Sequence, residues 1–95
     1  MNNKLGFLGI LFRANSAKIG PDLEVNALKA KLVIVAKDIT SNTGKAFLSR
    51  LKENNIPYIE EFSKSELGNA VGRDVVNYIG IFDSKAAKAY LRKGE

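Results

Sequence analysis

Leu32-Val33-Ile34-Val35-Ala36 is an unbroken apolar run with three β-branched residues at its centre. A strand with one wet face alternates apolar and polar residues. An uninterrupted run marks a strand covered on both faces, as in a parallel or mixed sheet with helices on either side. Reading outward from it, Gly20-Pro21-Asp22 has turn chemistry, and Asp22 is expected to cap a helix of about two turns with apolar positions Leu23, Val25, Ala27 and Leu28. Further upstream, Leu5, Leu8, Ile10, Leu11 and Phe12 have the density of a short buried helix, with Asn2 or Asn3 as its cap and Asn15-Ser16 as its end.

Downstream, Thr40-Ser41-Asn42 is a capping cluster. Ala46, Phe47, Leu48 and Leu51 then fall at helical spacing, with Lys45, Arg50, Lys52 and Glu53 outward, before Asn54-Asn55 stops the helix. Pro57-Tyr58-Ile59-Glu60 reads as a short strand. Ser63-x-x-Glu66 makes a capping box ahead of Leu67, Ala70 and Val71, and Gly72 is placed to end that helix in the left-handed region. Val75 to Phe82 alternates weakly and reads as a strand, and Asp83-Ser84 caps a last helix with Ala86, Ala87, Tyr90 and Leu91 inside and Lys85, Lys88, Arg92 and Lys93 outside. Strands alternating with helices through short connections give an α/β layered sandwich, because each crossover helix packs back on the sheet.

With 95 residues, 45% of them hydrophobic, the chain can supply one modest core, so residues 1–95 are expected to form a single domain. No internal repeat, low-complexity tract or long linker interrupts it. No apolar stretch is long enough to span a bilayer. Leu5 to Phe12 faintly resembles a signal h-region, but only Lys4 precedes it and no small-x-small site closes it; a cytoplasmic protein with no membrane partner is expected.

There is no Cys, which excludes disulfides, thiolate metal sites and cysteine nucleophiles, and no His, which removes the commonest general base and metal ligand. Glu60 and Glu61 are adjacent, and strand neighbours point to opposite faces, so they read as solvated charges rather than a catalytic pair. No enzyme activity, cofactor or metal is expected. Glycines 6 and 9, and 68 and 72, fit close packing and a helix end better than a phosphate cradle, and no Walker or dinucleotide glycine pattern occurs.

The net charge of +5 is uneven. Residues 1–52 hold nine Lys/Arg against three Asp/Glu, residues 53–83 two against six, and residues 84–95 four against one. If the two basic segments share a face, they form a patch suited to polyphosphate.

Four stretches carry a family resemblance: Leu5-Gly6-Phe7-Leu8-Gly9-Ile10-Leu11 through Ala17-Lys18-Ile19; Ala30-Lys31-Leu32-Val33-Ile34-Val35-Ala36-Lys37-Asp38; Ile56-Pro57-Tyr58; and residues 62–72, with the pattern S-K-x-x-L-G-x-A-x-G. In this order and spacing they resemble the kink-turn RNA-binding ribosomal-protein superfamily of the large-subunit archaeal and eukaryotic type, and within it the small bacterial YlxQ-type members. The resemblance implies a three-layer α/β/α sandwich with a small mixed sheet. It also implies recognition of kink-turn RNA, a sharply bent internal loop flanked by sheared G·A pairs. In the family, a Gly-x-Asn-Glu-x-x-Lys motif at the start of helix two presents amides and side chains to the G·A pairs and phosphates, and the loop after the Leu-Gly helix supports the extruded base.

Residue by residue, Gly20 keeps the motif's glycine, while Asp22 stands for its Asn, Leu23 for its Glu and Asn26 for its Lys. The lost lysine removes a phosphate contact, and the lost Glu a base-edge contact worth about 1–3 kcal/mol. The loop Gly72-Arg73-Asp74-Val75-Val76 keeps a glycine, a cation and two apolar residues.

The RNA-binding residues implied are therefore Lys18, Gly20, Pro21, Asp22, Asn26, Lys29, Lys37, Arg73, Asp74, Val75 and Val76, acting with the amides of helix two on structured RNA, ribosomal or other non-coding. No DNA partner is expected. Duller readings stand beside these. Lys18, Lys29 and Lys31 could be a solvated face, Val75 and Val76 the first core residues of a strand, and Asp22 a helix cap; Arg73 would need an acceptor, and Asp74 is its near one. Three functions remain open: an RNA-binding protein associated with the ribosome or translation, a degenerate member serving as a protein-interaction module, and a small-ligand or enzyme domain, which the missing His and Cys disfavour.

Overall fold

A computed structural model of the chain describes residues 3–93. The elements are α1 (Asn3–Arg13), β1 (Ala17–Lys18), α2 (Gly20–Asn26) continued by a 3-10 turn over Ala27–Lys29, β2 (Leu32–Val35), α3 (Asn42–Glu53), β3 (Tyr58–Glu60), α4 (Lys64–Ala70), β4 (Tyr78–Ile81) and α5 (Ser84–Arg92). The strands form one mixed sheet in the order β1-β4-β2-β3. β2 runs parallel to β3 and antiparallel to β4, and β1 is antiparallel to β4.

The central run behaves as its composition requires. Leu32, Ile34 and Ala36 join α1, α4 and α5 in one core with Leu8, Leu67, Ile79, Ile81 and Tyr90. Val33 and Val35 point the other way, to Leu23, Ala27, Phe47, Leu51 and Tyr78 under α2 and α3. Successive side chains of one strand thus feed two cores, which is the α/β/α sandwich.

Local signals set most boundaries. Ser41 caps α3 by accepting from the Gly44 N–H at 3.0 Å. Asp83 caps α5, and Ser63 and Glu66 form the reciprocal capping box of α4. The cap expected at Asn2 or Asn3 lies outside the residues and side chains described.

Several expectations shift. α2 begins at Gly20, so Asp22 lies inside its first turn and caps nothing; Pro21, with its fixed φ, starts the helix earlier than a capping side chain would. Val25 is 79% exposed and Leu28 65%, because α2 buries only Leu23 before the 3-10 turn re-aims the chain and buries Ala27. Ala46 and Leu91 are exposed and Gly44 is buried, which rotates the inner faces of α3 and α5 from those expected. Arg50, expected outward, is half-buried and donates to the Glu24 carbonyl at 2.8 Å, tying α3 to α2. The strand sought in residues 75–82 is confined to Tyr78–Ile81, and β1 carried no signal of its own: two residues are too few for periodicity.

The junction between α4 and β4 is tightly built. The Arg73 N–H donates to Gly68 C=O at 2.8 Å and the Gly72 N–H to Asn69 C=O at 3.3 Å, a Schellman closure with Gly72 at φ +76°. The chain then turns back over the helix, and the Val76 N–H donates to Lys64 C=O at 2.9 Å. A Cβ at Gly68 would stand 2.7 Å from the Asp74 carbonyl oxygen and 2.8 Å from the Val75 nitrogen, so the loop lies on α4 only because that residue has no side chain.

On the same side of the sheet, the Glu61 carboxylate accepts from the Tyr90 hydroxyl at 2.6 Å and pairs with Lys4 Nζ at 2.9 Å, linking α1, the end of β3 and α5. Lys4 Nζ also lies 4.9 Å from the centroid of the Tyr90 ring. Burial works to raise the Glu61 carboxyl, but the hydrogen bonds from Tyr90 and Lys4 and the charges of Lys4 and Lys37 outweigh it and hold it below the ordinary carboxylate range.

Two outcomes are expected. Because the folded Glu61 is the stronger acid, its contribution is present above its unfolded pKa, near 4.5, and is lost as pH falls through the lowered value. Glu61→Gln should therefore flatten the acid limb of a stability-versus-pH curve followed by urea denaturation, with little change in slope near neutrality. Gly68→Ala should cost about 1–3 kcal/mol in the same assay by forcing the Asp74–Val75 backbone off α4.

Candidate functional site

β1 and β2 both run antiparallel to β4, and β3 runs parallel to β2, so three strands send their carboxyl ends to the edge where β4 begins. Crevices at the carboxyl ends of strands are the common ligand sites of open α/β sheets. Here the chain from β1 into α2 and the α4–β4 junction come together across that edge. Between them lies an open groove of about 630 Å³, within the ~300–1,000 Å³ usual for ligand clefts.

Seven of the eleven sequence-derived positions line it: Lys18, Gly20, Pro21 and Asp22 on one wall, Arg73, Val75 and Val76 on the other. Residues more than fifty positions apart thus share one cleft. The Schellman closure holds Arg73 at the loop tip, where it is exposed and, among the described residues, has no ion-pair partner; Asp74, its expected acceptor, does not engage it. Val75 is exposed, whereas Val76 is buried in the core beneath it, so the two divide the roles that were open for both. Lys18 Nζ lies 5.9 Å from the centroid of the Phe82 ring, a long cation–π contact, and the residue also lines the groove.

The other four positions do not line the groove. Asn26 donates its side-chain amide to Asp22 C=O at 2.9 Å, within its own helix. Lys29 lies in the 3-10 turn that leads to Leu32, paired with Ile81 at the far end of β4, and Lys31 N–H bonds Ile81 C=O there. The basic region of helix two is therefore divided by the groove: Lys18, opposite Gly80, lines it, whereas Lys29 and Lys31 do not. Lys37 follows Ala36, whose N–H bonds Asn77 C=O at 2.8 Å, so it stands beside the groove without lining it. Asp74 contributes its backbone to the contact with Gly68.

Leu23, at the motif's Glu position, is fully buried. Its methyl group fits the space a Cβ at Gly80 would occupy, 2.3 Å away, so α2 is drawn close to β4. Glu24 is fixed from two sides, by Arg50 on its carbonyl and by the Tyr78 hydroxyl donating to its carboxylate at 3.3 Å. Tyr78 stacks on Phe47 at 4.2 Å between ring centroids, and burial followed by the nearby Glu24 charge raises its phenol to about 12. This tyrosine is a structural neutral group. Pro21 in the first turn also removes one of the amides expected to face a ligand.

Phe12, Asn15, Ala17, Ile19, Asn77 and Tyr78 line the groove as well. None had a sequence signal for a site; Asn15 was legible only as a helix terminator, and it does adopt φ +62°. Among the described residues no group of three His, Cys, Asp or Glu could hold a metal, and no helix is long and apolar enough to cross a membrane. What the cleft offers is two cations, one carboxylate, neutral amides and an apolar wall: the means to bind a ligand.

Comparison with known proteins agrees with this architecture. The chain is 30% identical over 87 residues to the RNA-binding protein YlxQ of Bacillus subtilis (strain 168), covering 88% of this chain and 87% of that protein. It matches the RNA-binding protein YlxQ of Enterococcus faecium to the same identity, over 88% of this chain and 84% of that protein. A solved structure of a protein of unknown function from Bacillus halodurans superposes with a TM-score of 0.81 at 25% identity, over 98% of this chain and 97% of the other. The Giardia lamblia 15.5kD RNA binding protein shares the fold with a TM-score of 0.69 at 18% identity, over 94% and 79% of the two chains. The profile of one family matches residues 23–90, from α2 to α5. By that match and by its bacterial relatives, the chain belongs to the ribosomal protein L7Ae/L30e/S12e/Gadd45 family.

Proposed function

We propose that residues 1–95 act as one RNA-binding module that docks on structured, kink-turn-like RNA in the cytoplasm, ribosomal or otherwise translation-associated, and catalyses nothing. The observation that carries this reading is the groove itself, with Lys18 and Arg73 on opposite walls and an exposed Val75 between an unpaired arginine and the core. Phosphates meet the two cations and release their counterions, while an unstacked base rests on Val75, braced by the buried Val76. That bacterial relatives of full-length similarity are RNA-binding proteins supports the same reading.

A second reading, a protein-interaction module, draws on Val25 and Leu28, which stand exposed on the α2 side of the molecule, away from the groove's walls. Its prediction differs in kind, since it requires no RNA affinity at all.

A salt titration of binding to a kink-turn RNA, beside a duplex of equal length and charge, separates the two. Tighter binding to the kink-turn is expected. Arg73→Ala should weaken it and lower the slope of log K against log salt by about one. Equal binding to both RNAs would leave a nonspecific basic surface, and no binding to either would favour the protein-interaction reading. A second outcome concerns the altered motif. Leu23→Glu, which restores the family residue, should destabilise the fold by about 2–5 kcal/mol in thermal or urea unfolding, because the new carboxylate replaces a core side chain under Gly80.

A further inference from the structure

We propose that Asn77 and Asn15 read the edge of the nucleobase held in the groove, and so decide which base this protein accepts. The inference rests on the RNA-binding reading above and deepens it.

The residue that would read a base from α2 is absent from the groove, since Leu23 is fully buried and Asn26 spends its amide on the Asp22 carbonyl. A base entering the cleft can meet only what lines it. Lys18 and Arg73 suit phosphate, and Asp22, an acceptor alone, repels it. Of the neutral polar side chains in the lining, Tyr78 spends its hydroxyl on Glu24, which leaves Asn15 and Asn77. A carboxamide presents a donor and an acceptor side by side, the pattern on the edge of a nucleobase, and it does so without a net charge that every phosphate would attract equally.

Both residues are held by their backbones and leave their amides unspent. The Asn77 carbonyl accepts from Ala36 N–H at 2.8 Å, which locks the residue to the end of β2. Asn15 N–H donates to Phe12 C=O at 3.2 Å, and its φ of +62° is a conformation Asn tolerates better than most side chains. Among the described residues neither side-chain amide hydrogen-bonds to the protein. Asn77 is half-buried, and its amide, with Nδ2 3.5 Å from where a Cβ at Gly44 would stand, reaches solvent and is open to a ligand that enters the groove. Phe12, also half-buried and packed against the core, adds an aromatic ring to the same lining, of the kind on which single-stranded RNA readers stack a base.

The test uses four kink-turn RNAs differing only in the unpaired, extruded nucleotide (A, G, C or U), bound by wild type, Asn77→Ala, Asn15→Ala and the double variant, with thermal unfolding of each protein. Wild type should prefer one base over the worst by about tenfold, as one amide–base pair provides, and the double variant should bind all four within about twofold of each other. Unfolding temperatures should stay near wild type, and exposed Asn15 keeps the test available should Asn77→Ala disturb the end of β2. Equal wild-type affinity for the four RNAs would overturn the proposal, as would variants that weaken all four alike while keeping the base ratio. Wild type that binds the kink-turn no better than duplex would overturn the RNA-docking reading with it, whereas kink-turn binding with an unchanged ratio in the double variant sinks the amide assignment alone.

Discussion

Four residue pairs join β2 to β4, from Leu32 with Ile81 to Val35 with Tyr78, and every one of these eight residues is buried. A ladder covered on both faces has no water to satisfy its backbone groups, so the antiparallel register must be kept. That register fixes which side chains serve which core: Ile34 and Ile79 look to α1, α4 and α5, while Val33, Val35 and Tyr78 look to α2 and α3. A slip of one residue would exchange the two sets. Gly80 belongs to this ladder, and because it has no side chain, Leu23 can sit against β4 and bring α2 down on the sheet.

The groove is a consequence of the same ladder. Where β4 begins, the chain has just left the α4 turn, and where β1 ends it is about to enter α2; the sheet holds these two connections a strand's width apart. Their backbones are satisfied locally, by the Schellman bonds and the Val76–Lys64 bond on one wall and by the short helix on the other. The side chains left over, Arg73 and Val75 above all, are exposed, and among the described residues Arg73 has no ion-pair partner. Surface loops on a rigid sheet are where binding residues concentrate, for this reason.

The fold was legible wherever a local interaction sets a boundary. The uninterrupted Leu32–Ala36 run announced a two-sided strand, Ser63 and Glu66 announced a helix start, and Gly72 announced its end. What was not legible depended on tertiary geometry. Asp22 has the chemistry of a cap, but Pro21 lets the helix begin sooner, and propensity cannot rank the two. Lys29 and Lys31 are close to Lys18 in sequence, and Lys18 and Lys31 lie near the same end of β4, yet only Lys18 lines the groove, a distinction charge counting could not make. Asn77 and Phe12 had no motif to mark them for a site, since Asn77 is placed by its backbone bond from Ala36 and Phe12 by the packing of α1 against the core.

The substitution of Leu for the family's Glu is best understood as an exchange of duties along α2. A carboxylate at Leu23 would need to leave the core to reach a ligand, and the helix would then lose the side chain that seats it on Gly80. With only seven residues and a proline in its first turn, α2 has little other surface to bury. Arg50 and Tyr78 add to the commitment by holding Glu24 from two sides. A helix held this firmly is a wall rather than a reader. Selectivity, where the protein has any, must then come from the groove's other lining, and the α4–β4 loop and the α1–β1 corner are the parts whose polar side chains the fold has left unspent.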